Sequence, residues 1–131
     1  MSPSPSTSIE VASIICMFVI GLSHVVRPRV WVNLFIHLRE RGQAGVMLVG
    51  LMHLPLAVLI VAFHNVWRGI PAVLTVLGYA WVLKATLYLA FPRVGLIGLG
   101  FVSRERAHHF VCGGSVLIGL AVLLAYPHLI S

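Results

Sequence analysis

His64–Pro92 reads HNVWRGIPAVLTVLGYAWVLKATLYLAFP, and between Gly69 and Phe91 its only charged side chain is Lys84. A helix rises about 1.5 Å per residue and the hydrocarbon core of a bilayer is about 30 Å thick, so about 20 apolar residues in a row make one crossing. Counting outward from this run, three further apolar segments can be set beside it. Spans are expected at residues 9–26, 42–63, 70–91 and 107–126. The expected fold is all-α, an integral membrane four-helix bundle in a single domain.

Composition supports this choice of solvent. The chain has 131 residues, a mean hydropathy of +1.03, 60% hydrophobic and only 9% charged side chains. Soluble domains carry about 25% charge, so there are too few polar groups here to cover a water-facing surface. Lysine and arginine number 9 against 3 acidic residues, for a net charge of +6. That excess does not imply nucleic acid, because the arginines stand at the ends of apolar runs and form no basic face. They read as orientation signals and headgroup anchors, with the lipid bilayer as the partner. Cys16 and Cys112 fall inside apolar runs and read as small buried hydrophobes rather than a disulfide or metal framework. Residues 1–8, MSPSPSTS, are expected to form a disordered tail. They carry no basic segment of the kind that opens a signal peptide, so the first apolar run is kept as a mature span.

The two long connections resemble each other. Pro28-Arg29-Val30 recurs 64 residues later as Pro92-Arg93-Val94, and Arg39-Glu40-Arg41 recurs as Arg104-Glu105-Arg106. Each half reads span, Pro-Arg, interfacial stretch, Arg-Glu-Arg, span. Two spans per half make this a parallel repeat of helix hairpins. The first connection alternates apolar with polar side chains and is expected to be a short interfacial helix. Arg27, Arg29, Arg39, Arg41, Arg93, Arg104 and Arg106 lie in these connections, against Arg68 alone in the connection between spans two and three. An excess of arginine marks the cytoplasmic side. The termini and the HNVWRG turn are then expected on the other side.

Few groups can carry chemistry. A lysine within a span costs about 2.5–3.5 kcal/mol on insertion scales and is a functional candidate by default. Lys84 stands eight residues before Pro92, where it can also snorkel towards the headgroups. The three acidic residues are badly placed to pair with it, and the backbone carbonyls freed by Pro28, or Tyr88 one turn on, are its expected contacts. His53 lies at mid-depth, and no other span is expected to offer it a second imidazole. His64, Asn65 and Trp67 stand at the membrane surface as helix caps, belt aromatic, or headgroup and partner contacts. Haem needs two imidazoles at one depth on facing helices, and only His24 with His108 fits that requirement. Ser115 and Gly119 form a small-residue pair suited to close helix packing. No nucleophile triad, phosphate loop, paired carboxylate or Cys/His metal motif is present, so general acid–base catalysis has few candidates.

The order His64-Asn65-Val66-Trp67, Thr75, Gly78-Tyr79, Lys84 and a closing Pro92 resembles a group of small bacterial four-span membrane proteins, over about a quarter of the chain. The position after Gly78 in that group is more often Trp, where this chain has Tyr79. The resemblance implies a bacterial inner membrane and four helices. A looser likeness, in architecture alone, is to DoxX-like membrane proteins. Neither supplies a reaction. Three functions are therefore expected in turn. The first is a non-catalytic accessory or interaction subunit, with a membrane-protein partner or a second copy. The second is an oligomeric binder or transporter of a lipid, quinone or small molecule around Lys84 and His53. The third is haem-mediated electron transfer through His24 and His108. No cofactor is otherwise called for.

Overall fold

The computed structural model describes residues 2–130. Its elements, in order, are α1 (Pro5–Val26), α2 (Pro28–Glu40), α3 (Gln43–Phe63), α4 (Ala72–Ala90), α5 (Pro92–Gly100), a single 3-10 turn (Arg104–Arg106) and α6 (His108–Ile130). Among the described residues there is no strand. Helices α1, α3, α4 and α6 are long and apolar enough to cross a membrane. The chain thus has the make-up of a multi-pass membrane protein built as an all-α four-helix bundle. Ile15, Val19, Leu83, Val116 and Val122 stand exposed on these helices, as side chains do when lipid covers them.

Two boundaries differ from expectation. The Ser/Pro segment is partly helical, because Ser4 caps α1 by accepting the Thr7 N–H at 3.2 Å and Pro5 occupies the first turn. At the other end α6 runs through Pro127 to Ile130 instead of stopping at Tyr126. A proline there removes its own amide hydrogen bond and crowds the carbonyl four residues back, but the helix continues, and the turn beyond it is tied down by His128, whose ring is bonded to α1.

The repeat is present in three dimensions. Arg27 and Phe91 close α1 and α4 with nearly the same backbone, φ −129°, ψ 52° and φ −130°, ψ 68°. Each donates its N–H four residues back, to Ser23 and Leu87, and each is followed by a proline that opens the next helix. α1 packs most closely on α6, and α3 on α4. At the first crossing a Cβ on Gly21 would lie 2.7 Å from the Gly114 carbonyl oxygen, and one on Gly114 2.6 Å from that of Gly21, so the backbones touch. At the second, a Cβ on Gly50 would lie 3.3 Å from the Ala85 carbonyl oxygen. Gly21 and Ala85, and likewise Gly50 and Gly114, are 64 residues apart. The two tight pairs are thus the same contact made twice.

Packing differs between the two ends of the bundle. Met17, Ile60, Leu74, Ala121 and Leu124 form a buried core towards the end bearing the α3–α4 connection. At the arginine-rich end α2 and α5 fold back on α3, with Leu38, Val46, Val49 and Leu99 buried between them. Trp31 donates its indole N–H to Ser23 Oγ at 2.9 Å, fastening α2 to α1. Arg39 donates to the carbonyls of Leu99 and Val102 at 3.3 and 2.9 Å, capping the end of α5.

Candidate functional site

Two helix pairs that pack well within themselves leave space between them. A cavity of about 230 Å³ lies there, lined by Cys16, Met17, Ile20 and His24 of α1, Trp31 and Phe35 of α2, Met52, His53 and Leu56 of α3, Trp81 of α4 and Leu117 of α6. The helix offset explains the α1 lining: residues three, four and seven apart share one helix face. The walls are mostly aromatic and aliphatic, and two imidazoles, those of His24 and His53, are among the few polar groups.

His53 donates its Nδ1–H to the Val49 carbonyl at 2.8 Å. That assignment leaves Nε2 as an acceptor, and Lys84 Nζ donates to it at 3.3 Å. Lys84 thus reaches across from α4 to His53 of α3. The ammonium also lies 5.5 Å from the centre of the Tyr88 ring, in range of a cation–π contact. Lys84, His53 and Tyr88 are thus brought together as one group. His24 donates Nδ1–H to the Ile20 carbonyl at 2.7 Å, which leaves its Nε2 lone pair free. Its ring stacks on Trp31 at 4.0 Å and on Phe110 at 5.6 Å between centroids.

The structure does not bring His24 and His108 together as a haem pair. His108 lines neither of the two cavities that His24 lines, and its ring meets His109 edge-on at 4.4 Å. An apolar cavity of about 150 Å³ accepts one benzene ring, so 230 Å³ has room for one substituted ring.

His64, Asn65 and Trp67 part company. Asn65 accepts the Trp67 indole N–H at 2.6 Å, and Trp67 stands exposed. His64 caps α3 with its backbone N–H, but its side chain turns inward and is fully buried. There it donates from Nε2 to Glu10 at 3.3 Å, and its Nδ1 meets the Thr75 hydroxyl at 3.2 Å. Thr75 in turn donates to the Val66 carbonyl at 2.7 Å and accepts the Val66 N–H at 3.1 Å. His128 of α6 donates to the second oxygen of Glu10 at 3.1 Å. Glu10 is 6% exposed and held by two imidazoles, and it makes no pair with Lys84. The imidazoles take different oxygens and do not converge on one point. Among the described residues no group of three His, Cys, Asp or Glu is arranged to hold a metal ion.

Glu10, Thr75, His128, Trp31 and Trp81 were not among the expected site residues. One signal was available for His128: it lies 64 residues after His64, the offset already displayed by Pro28 and Pro92. Comparison with known proteins finds no matching family model, no matching curated protein and no matching solved structure.

Proposed function

We propose that the protein is a small multi-pass binder of a lipid-soluble molecule with one hydroxyl-bearing aromatic ring, the chemistry of a quinol head. The observation that carries this reading is the cavity between the helix pairs, with His24, whose Nδ1 is taken by the Ile20 carbonyl, in its lining. A flat ring suits the indoles of Trp31 and Trp81, and a ring hydroxyl can donate to Nε2. Lys84 holds His53 through its Nε2, so the second imidazole keeps one orientation beside the ring. The buried core and the Glu10 group close the far end. The setting is a bacterial cytoplasmic membrane, with the arginine-rich end inside and the ends of α1 and α6 outside, by the excess of arginine in two connections.

The test is quenching of Trp31 and Trp81 fluorescence by a short-chain benzoquinol added to purified full-length protein. Saturable quenching is expected. His24→Phe keeps the stacked ring but removes the acceptor, and should weaken binding about tenfold, as loss of one hydrogen bond of about 1.4 kcal/mol does. Lys84→Met should weaken it too, by freeing His53. Binding unchanged in both variants overturns the proposal.

A second reading, as a subunit of a larger membrane assembly, is supported by the outward face of α6. Ser115 is exposed there and a side chain at Gly119 would meet open space, as a small-residue docking row requires. A strictly monomeric particle after extraction in mild detergent counts against it.

A further inference from the structure

At the arginine-rich end, away from the aromatic cavity, a second hollow of about 370 Å³ is lined by Arg29, Val32 and Asn33 of α2 and by Arg104, Glu105 and Ala107 before α6. The repeat shows what is unusual about it. Arg39 and Arg104 open the two Arg-Glu-Arg segments. Arg39 is spent on the Leu99 and Val102 carbonyls. Arg104 has no such pair of acceptors: its Nε donates to Asn33 Oδ1 at 3.2 Å, and its terminal nitrogens remain for something else. Among the described residues the only pairs of a carboxylate with a basic side chain are those of Glu10 with His64 and His128, so neither Arg29 nor Arg104 is neutralised within 4.0 Å. Two guanidinium groups thus face one hollow against a single carboxylate, Glu105.

We infer that this hollow binds a phosphate-bearing anion, seated between Arg29 and Arg104, either as the headgroup of an anionic phospholipid or as a soluble phosphate. A guanidinium offers two parallel N–H donors that match two oxygens of one phosphate. Asn33 fixes the plane of Arg104 and so points its remaining donors. The surplus positive charge in the lining admits a phosphate diester and disfavours a zwitterionic headgroup, whose own ammonium would meet Arg29. The inference rests on the arginine-rich end lying at headgroup level, but not on the occupant of the aromatic cavity.

Delipidated full-length protein in detergent is titrated with phosphatidylglycerol and, separately, with phosphatidylcholine of the same chains, and bound lipid is counted by native mass spectrometry. Phosphatidylglycerol should bind in preference. Arg29→Gln with Arg104→Gln should reduce its binding about a hundredfold, about tenfold for each charge-assisted contact removed. Arg93→Gln, the match of Arg29 in the other half and likewise exposed, should leave binding within about twofold. Displacement of the lipid by millimolar inorganic phosphate assigns the site to soluble phosphates. Failure of phosphate to displace it assigns the site to the headgroup. Equal binding of the two lipids overturns the inference, as does undiminished binding by the double variant or an equal loss in Arg93→Gln. The tryptophan quenching assay is untouched by these results, so the two proposals fail separately.

Discussion

Gly113 and Gly114 are neighbours in α6 with opposite surroundings. A Cβ at Gly113 would meet nothing within 4 Å. A Cβ at Gly114 would lie 2.6 Å from the Gly21 carbonyl oxygen and 2.7 Å from His24 Cβ, short of ordinary contact by about 0.8 Å. Neither obstacle is the end of a flexible side chain, so relief requires α1 and α6 to move apart. Overpacking of this kind costs about 1–3 kcal/mol. Alanine also favours a helix over glycine by about 1 kcal/mol, but that gain is common to both sites and cancels in their difference. Gly114→Ala is therefore expected to be about 1–3 kcal/mol less stable than Gly113→Ala. Unfolding of detergent-solubilised protein, followed by tryptophan fluorescence, measures the difference. Because the displaced atom includes His24 Cβ, quinol quenching should weaken in Gly114→Ala alone. A stability difference below about 0.5 kcal/mol, the range of an unremarkable surface change, would refute backbone contact at this crossing.

Two further outcomes follow from the buried polar group. Thr75→Val keeps shape but removes the hydroxyl that bonds both the carbonyl and the N–H of Val66; a loss of about 1–3 kcal/mol is expected, with faster hydrogen exchange at the Val66 amide. Unchanged exchange there would contradict the role given to Thr75. Glu10→Gln replaces one of two acceptors by a donor and leaves one imidazole unmatched, for a loss of about 1–3 kcal/mol. In a double-mutant cycle, His128→Ala should cost less on the Glu10→Gln background than alone; strict additivity would show that the bond at 3.1 Å contributes nothing.

The four spans were legible because hydrocarbon leaves a long, simple mark: apolar runs, with arginine and proline where they end. The joints at Pro28 and Pro92 were legible for the same reason, since proline fixes one dihedral and forbids one bond wherever it stands. The site was legible only in part. Lys84, His53 and Tyr88 could be singled out as costly or polar groups within spans. Their convergence could not, because it depends on which helix faces meet across the bundle. The burial of Glu10 was not legible for a related reason. Six residues into its helix it looks like a surface group, and only the inward turn of His64 and the extension of α6 past Pro127 bury it.

The clasp around Glu10 has an evolutionary corollary. His64 and His128 occupy matching places in the two halves, yet the place matching Glu10 in the second half is Leu74, which lies sealed in the apolar core. A chimera made from two first halves would force two carboxylates into that interior, and one made from two second halves would leave both imidazoles facing leucine. The halves are alike in outline but no longer interchangeable, and a single acidic side chain is enough to make each depend on the other.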